Sequence, residues 1–242
     1  MTSDLSLDDL LAELVAREEA MASFAAYIEY VTGLKPPPHL KLICDKLDAV
    51  ARGEIKRLMI SMPPGHAKSF TASQHFPAWY LSKYGKKNLI CATHTQELSD
   101  SFGLKVRNLM KSDEHRKVFP SSGISLDKTA AGEWMTLEDG SYKATAVGAS
   151  VTGRRGHLLI GDDLLSGIQA AESESERNKL WAWYGADFFT RRKNKDTPIV
   201  LIGTRWHLGD HMGRLDQAER DGEGEKWERV ILPALAVDKD IL

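Results

Sequence analysis

The stretch Leu58–Ser69 constrains the fold of this chain more than any other. An apolar run, Leu58–Met62, leads into a Pro/Gly turn and a Lys-Ser pair, and a helix-compatible segment follows. In such a context backbone N–H groups and a helix N-terminus face an anion, the lysine reaches the β- and γ-phosphates, and the serine hydroxyl holds Mg²⁺. The stretch therefore predicts a phosphate-binding loop, whose nucleotide-binding residues are Pro64, Gly65, His66, Ala67, Lys68 and Ser69.

The match of this loop to the pattern G-x-x-x-x-G-K-[ST] is degenerate. Met62 stands at the first glycine and Ala67 at the second, while Gly65 lies inside the loop. The alternative is a Pro-Gly turn followed by an exposed lysine, and the motif alone does not separate the two interpretations.

Composition limits the classes of protein to which the chain can belong. Its 242 residues suffice for one large domain or two small ones. A net charge of −2 gives no overall basic character, so any DNA contact needs a local patch, a transient grip or a further domain. No apolar stretch approaches the length of about 18 residues that spans a membrane. The acidic N-terminus, with Asp8 and Asp9, predicts no signal peptide, and Cys44 and Cys91 are predicted to be reduced thiols of a cytosolic protein.

Hydrophobic periodicity predicts an α/β fold. Leucines and alanines at helical spacing predict one or two helices within Leu5–Tyr30, and His39–Arg52 predicts another. Segment 111–140 is predicted to form loops and a short hairpin. Short apolar runs between helical stretches predict a central, mainly parallel sheet flanked by helices. The main runs are Leu58–Met62, Asn88–Thr93, His157–Ile160 and Pro198–Gly203.

Polar side chains follow three of these predicted strands. Lys68 and Ser69 come after the first, Asp162 and Asp163 after the third, and Thr204 with Arg205 after the fourth. Ligands of parallel sheets bind at the carboxyl ends of strands. A nucleotide triphosphatase needs one acidic group on Mg²⁺ and a second that orients the attacking water.

Asp162 is accordingly predicted to share Mg²⁺ with Ser69, and Asp163 is predicted to act as the catalytic base or to position water. The alternative is an Asp pair that caps the next helix.

Two further groups of residues attract attention. Arg154 and Arg155 lie between Gly153 and Gly156, so they are candidates for an arginine finger that acts in cis or on a neighbouring subunit. The alternative is a solvated basic turn. His207 and His211 have the spacing of a helical zinc pair, but Leu208 stands where a metalloprotease has glutamate and no third ligand is evident, which favours an ordinary helix start.

An ordered series of motifs from about Tyr30 to Leu235 resembles the large terminase subunit of tailed bacteriophages, the ATPase motor that packages DNA into procapsids. The series comprises P-P-P-H-L before a helix that ends in R-G-E, then L-M-I-S-M-P-P-G-H-A-K-S, A-T-H-T-Q-E-L, T-G-R-R-G before L-L-I-G-D-D, V-L-I-G-T-R-W-H with D-H-M-G-R, and L-P-A-L-A. Gly65 departs from members with arginine at this point, and Asp163 stands where many relatives carry glutamate.

The resemblance implies an ASCE/RecA-like P-loop NTPase that uses ATP and Mg²⁺. It implies that Pro37, Pro38 and His39 lie near the adenine. It also implies that Thr204 and Arg205 belong to a coupling motif, in which Thr204 senses the γ-phosphate. The implied partners are double-stranded DNA, the portal protein of the procapsid, the small terminase subunit and further copies in a ring on the portal. The implied location is the host cytoplasm, with transient docking on the portal and no membrane.

The predicted domain organisation follows from this resemblance. Residues 1–38 form a helical N-terminal segment and linker, and 39–242 form the ATPase domain. The family's C-terminal nuclease domain is expected to be absent from this chain, and no nuclease activity is expected. The alternative functions are a nucleotide-binding assembly module and a helicase-like ATPase with weak hydrolysis. The sequence offers no evident apolar stripe for stable self-association, so a largely monomeric, slow ATPase is expected.

Overall fold

An eight-stranded sheet forms the centre of the computed structural model, which describes residues 6–233. The spatial order of the strands is β3-β4-β5-β2-β6-β7-β1-β8. The β3–β4 and β4–β5 pairs are antiparallel, and every other neighbouring pair is parallel. The strands are β1 (Arg57–Ser61), β2 (Asn88–Thr93), β3 (Ile124–Ala130), β4 (Glu133–Thr136), β5 (Ser141–Ala146), β6 (Leu158–Asp162), β7 (Ile199–Gly203) and β8 (Glu228–Ile231).

Helices cover both faces of this sheet. Ile60 of β1 belongs to one buried apolar cluster and its neighbour Met59 to the other, because successive strand residues point to opposite faces. The predicted α/β class, with a mainly parallel sheet flanked by helices, is therefore confirmed. The α-helices are α1 (Leu7–Ala22), α2 (Phe24–Thr32), α3 (Pro38–Ala51), α4 (Phe76–Tyr84), α5 (Gln96–Leu109), α6 (Asp113–Val118), α7 (Ile168–Glu172), α8 (Glu174–Trp183) and α9 (His211–Arg220).

Segment 111–140 contains more regular structure than the sequence predicted. The hairpin is present as β3 and β4, and α6 precedes it. The hydroxyl of Ser112 accepts a hydrogen bond from the backbone N–H of His115, which caps α6. Because α6 spans only six residues, it has too few turns to give a periodic signal in the sequence.

Helix α1 carries an apolar stripe that faces solvent. Five side chains of this stripe are 45–71% exposed: Leu7, Leu10, Leu11, Leu14 and Val15. The expectation of a surface without a long apolar stripe is therefore wrong. The C-terminal part of α1 is attached to the core: Ala20 is buried there, and the Trp79 indole N–H donates to its carbonyl oxygen over 3.0 Å. At the other end, Ser6 and Asp9 form a capping box.

Within residues 6–233, no helix is both long and apolar enough to cross a bilayer. Cys44 and Cys91 are free and buried. Side chains of α2 and α3 share one buried cluster with residues of the sheet, and the boundary at residue 38 stays a prediction. The predicted ranges extend at both ends, with 1–5 and 234–242, beyond the described residues.

Candidate nucleotide site at the carboxyl edge of the sheet

The predicted phosphate loop connects β1 to a helix that begins with a π-helical segment, Phe70–His75. Two residues of the loop have positive φ angles, +80° at Gly65 and +60° at Ala67. The second value falls in the left-handed region, where a side chain is costly, and Ala67 occupies the position of the second glycine of the usual motif. The loop thus keeps a glycine-type backbone turn without the glycine.

Lys68 is buried, with only 6% of its surface exposed, and its Nζ lies 3.3 Å from a carboxylate oxygen of Asp163. The alternative of a turn followed by an exposed lysine is therefore wrong. The remaining loop positions, 64–67, are exposed. A buried ammonium group between a flexible turn and a carboxylate is placed to meet an anion that enters from the exposed side.

Asp162 ends β6 and is buried. The Ser73 hydroxyl donates a 2.6 Å hydrogen bond to its Oδ2, whereas Oδ1, also buried, has no hydrogen-bond partner among residues 6–233. Burial, followed by the nearby charge of Asp163, raises the pKa of Asp162 to about 7, against the lowering effect of the Ser73 and Ser69 hydroxyls. Ser69 therefore lies within reach of Asp162. An unpartnered buried carboxylate oxygen beside a serine hydroxyl matches the oxygen ligands that Mg²⁺ takes.

Asp163 connects three strand ends. Besides the contact with Lys68, its Oδ1 accepts a 3.2 Å hydrogen bond from the backbone N–H of Thr204. Its backbone carbonyl lies 2.9 Å from Nδ1 of His94, which follows β2. Its φ angle is +43°. The next helix, α7, begins after Gly167 without a side-chain cap, so the alternative of an Asp pair that caps this helix is wrong.

Thr204 joins the two halves of the site. Its hydroxyl donates a 3.1 Å hydrogen bond to the carbonyl oxygen of Met62 at the start of the loop, and its N–H reaches Asp163. Arg205, the next residue, makes ion pairs with Asp210 and Asp216 instead. Only Thr204 of the predicted coupling pair therefore contacts both the loop and the acidic pair.

Arg154 and Arg155 lie on the opposite side of the sheet from the loop, at the amino ends of the parallel strands. Segment 147–156 starts beside Thr93 at the carboxyl end of β2 and reaches Asn88 at its amino end. Arg154 makes an ion pair with Glu133, and Arg155 donates to the carbonyl oxygen of Arg192. In this arrangement neither guanidinium reaches the chain's own phosphate loop, so a finger in cis is not supported.

Several predicted residues lie at the rim of the site. The rings of His39 and His66 are 6.4 Å apart in an edge-to-face arrangement, which brings the start of α3 near the tip of the loop. Beyond Pro64, a cleft of about 600 Å³ opens between the loop, Trp206 and the end of β8 at Ile231.

His207 and His211 do not form a pair: His207 is exposed and its Nδ1 accepts from the N–H of Gly209, while His211 is buried.

The sequence reasoning missed two residues of the site, Ser73 and His94. His94 immediately follows a predicted strand, so the rule that found Asp162 and Thr204 applies to it as well. Ser73 gave no such signal, because only the geometry of the π-helical segment turns its hydroxyl toward Asp162.

Comparison with known proteins gives matches among solved structures only. No family model matches the sequence, and no curated protein matches it. The HK97 bacteriophage large terminase superposes with a TM-score of 0.57 at 12% identity, covering 93% of this chain and 44% of that one. The large terminase of a thermophilic bacteriophage, in complex with ADP, gives a TM-score of 0.47 at 12% identity, covering 81% of this chain and 47% of that one. The Phi-28 gp11 DNA packaging motor gives a TM-score of 0.42 at 10% identity, covering 77% of this chain and 58% of that one.

The present chain spans less than half of the HK97 protein, and identity at this level establishes the fold alone. The resemblance predicted from the sequence motifs is confirmed at that level: the chain has the fold of a bacteriophage large terminase.

Proposed function

We propose that this chain is the ATP-hydrolysing motor domain of a viral terminase large subunit, which drives double-stranded DNA into a procapsid. The observation that carries the proposal is the convergence of Lys68, Asp162, Asp163 and Thr204 at one edge of the sheet. These groups come from three different strand ends, and their chemical types are those that phosphoryl transfer needs. The terminase fold supports the coupling of this chemistry to DNA packaging.

Each group has a proposed role. Lys68 binds the β- and γ-phosphates, after it has exchanged its contact with Asp163 for one with the nucleotide. Asp163, once released, positions the attacking water. Thr204 detects the γ-phosphate through its two hydrogen bonds, to Asp163 and to the carbonyl oxygen of Met62, and passes the change to the segment that follows β7. His39 and the prolines before it lie on the side of the adenine.

Asp162 Oδ1 and the Ser69 hydroxyl would hold Mg²⁺. When bound, the ion neutralises the developing charge on the phosphate oxygens. The buried, unpartnered state of Oδ1 is the feature that fits such a ligand role.

The proposed partners follow from the packaging role. They are duplex DNA, the portal of a procapsid, a small terminase subunit and further copies of the same chain in a ring. The work would take place in the host cytoplasm, during transient docking on the portal. Since neither Arg154 nor Arg155 lies near its own phosphate loop, the arginine finger is proposed to act on a neighbouring subunit.

A nucleotide-binding assembly module with weak hydrolysis is the second candidate. The contact of Asp163 with Lys68 favours it, because a water-positioning carboxylate held by the phosphate-binding lysine is not free to act. A helicase-like ATPase is a third, less favoured candidate.

ATP turnover with and without duplex DNA separates a motor from an assembly module. The motor predicts turnover that rises with DNA and is lost in Lys68→Met, which keeps the buried stem of the side chain but removes its charge. Lys46→Ala, at a half-buried lysine paired with Glu228 and distant in sequence from the loop, is the control and should behave as the parent. Equal turnover in Lys68→Met and the parent would overturn the site, whereas tight ATP binding without turnover would favour the assembly module.

A further inference from the structure

Three short basic segments meet at the amino ends of the parallel strands, across the sheet from the phosphate loop. They are 86–87 (K-K), 154–155 (R-R) and 191–193 (R-R-K), and they contain seven cations and no carboxylate. The first precedes β2, the second precedes β6 and the third lies in the connection to β7. The parallel arrangement of β2, β6 and β7 therefore brings their amino ends, and these segments, to one place. We call this surface the basic edge.

Main-chain hydrogen bonds fix the three segments to one another. The N–H of Gly156 donates to the carbonyl oxygen of Arg191 over 2.8 Å, and the N–H of Lys193 donates to the carbonyl oxygen of Gly156 over the same distance. On the other side, the N–H of His157 donates to the carbonyl oxygen of Asn88 over 2.6 Å. The cations are thus presented by a rigid part of the fold.

Neutralisation of these charges is incomplete. Arg154 pairs with Glu133, but that carboxylate also pairs with Lys128 and Lys143. Arg192 pairs with Glu225, which also serves the buried Arg57. The other five have no carboxylate within 4.0 Å among residues 6–233: Lys86, Lys87, Arg155, Arg191 and Lys193.

The charges act on their surroundings. Burial lowers the pKa of His157, and the charges of Lys87 and Lys193 lower it further. The guanidinium of Arg155 donates to the carbonyl oxygens of Thr190 and Arg192, which carry no formal charge. Cations held together without counter-charges repel one another, and this cost is recovered when a polyanion binds.

We infer that the basic edge binds the phosphate backbone of duplex DNA. The inference rests on the proposed packaging function, for which it supplies the DNA surface that the net charge of −2 does not suggest. A duplex presents regularly spaced phosphates along its length, which a row of cations from three segments contacts in succession. Because the edge lies across the sheet from Lys68, bound DNA leaves the nucleotide site open.

Equilibrium binding of a fluorescent 30-base-pair duplex, measured by anisotropy over a series of salt concentrations, tests this surface without ATP. Lys87→Ala/Lys193→Ala is expected to bind about tenfold more weakly at low salt and to reduce the magnitude of the negative slope of log K against log salt by about 2, since each phosphate contact contributes about 0.9. Lys87→Arg/Lys193→Arg keeps the charges and should bind as the parent. The matched control, Lys105→Ala/Lys179→Ala, removes two exposed lysines from α5 and α8 and should change the slope little.

An unchanged affinity and slope in Lys87→Ala/Lys193→Ala would overturn the inference, as would an equal loss in the control. Lys68→Met should retain the parent's DNA affinity; a loss there equal to that of Lys87→Ala/Lys193→Ala would place the DNA at the phosphate loop and also overturn it. If the ATPase assignment fails, the ATP turnover measurement shows it and the DNA-binding measurement does not. The two outcomes are therefore distinguishable.

Discussion

Asp163 holds three parts of the candidate site together in a backbone conformation that most side chains avoid. Its φ of +43° lies close to the left-handed region, where aspartate is tolerated better than larger residues. The contacts with Lys68 and Thr204 compensate for this conformation. Under the proposed function, a nucleotide that displaces Lys68 would change what holds Asp163, and Thr204 is bonded to the same carboxylate.

Substitution of the two acidic residues should separate binding from turnover. Asp162→Asn is expected to weaken binding of Mg²⁺-nucleotide by about tenfold or more, equivalent to about 1.4 kcal/mol, because a charged ligand is lost. Asp163→Asn keeps an acceptor for the Thr204 N–H, so binding should stay near normal while turnover falls by about 10²–10⁴. Fluorescent-nucleotide titration and phosphate release measure the two effects. Equal loss of binding in both variants would contradict the division of roles.

Ala67 offers a direct test of the loop geometry. Its side chain is exposed, so strain at φ +60° is the main effect of its Cβ. Ala67→Gly relieves about 1–2 kcal/mol of strain and loses about 0.5–1 kcal/mol to greater freedom of the unfolded chain, so the free energy of unfolding should rise by up to about 1.5 kcal/mol. Ala67→Val should lower it by about 1–3 kcal/mol. Denaturant unfolding measures both changes, and a valine variant as stable as the parent would argue against the left-handed conformation.

At the scale of elements, buried strands were predicted well and their connections poorly. Asn88–Thr93 was predicted with its exact bounds, and Leu58–Met62 was shifted by one residue from β1, because a run of apolar residues between turns marks a buried strand. Since strand ends follow from the strands, Lys68, Asp162, Asp163 and Thr204 were found together. The structure places these residues at neighbouring strand ends, and their roles stay predictions.

The course of a connection depends on tertiary packing, which a local pattern does not record. Segment 147–156 runs along the sheet from one edge to the other, where Val151 is buried in the core and Arg154 meets Glu133. The two glycines that flank the arginines made these residues candidates for an arginine finger, but they gave no direction in which the side chains point. The burial of Lys68 was missed for a related reason, since its carboxylate partner, Asp163, is far away in the sequence and follows β6.

Helix α6 is docked through a buried histidine, which predicts a loss of stability in acid. His115 hydrogen-bonds to the hydroxyls of Tyr27 on α2 (2.7 Å) and Ser82 on α4 (2.9 Å), and burial lowers its pKa to about 4. The unfolded chain takes up this proton near pH 6.5 and the folded chain only near pH 4. Stability is therefore greatest above pH 6.5 and falls between these values, by about 3 kcal/mol for this residue.

Denaturant unfolding at pH 7 and pH 4.5 measures this loss. His115→Gln should be less stable than the parent at pH 7 but should lose less stability on acidification. His211, whose pKa burial also lowers to about 4, is unchanged in the variant, so its contribution cancels in the difference. Identical acid losses in the two proteins would contradict the neutral state of His115.

At the scale of the whole molecule, the two edges of the sheet have different proposed partners, the nucleotide at one and phosphates of DNA at the other. The arginines of the second edge also bear on assembly. A finger that acts on a neighbouring subunit contributes about 10³–10⁵ in rate in enzymes where it has been measured. An isolated chain should then be a slow ATPase whose turnover per subunit rises with protein concentration.

A mixing experiment tests action between subunits. Arg154→Ala/Arg155→Ala, with its own loop intact, should regain part of its turnover when mixed with Lys68→Met, which retains both arginines. Neither variant alone should exceed a small fraction of the parent. If mixing restores nothing and the specific activity of the parent is flat over a wide concentration range, the finger lies elsewhere, with Arg205 the next candidate despite its ion pairs with Asp210 and Asp216.

The position of β1 in the sheet has a consequence for how the protein is made. Both neighbours of β1 come late in the chain: Leu58 pairs with Val200 of β7 and with Glu228 of β8. The strand that carries the phosphate loop must therefore wait for about 140 further residues, or roughly 7–30 s of synthesis at typical rates. During that time its apolar edges are open to other chains, so this segment is where a nascent chain most needs a chaperone.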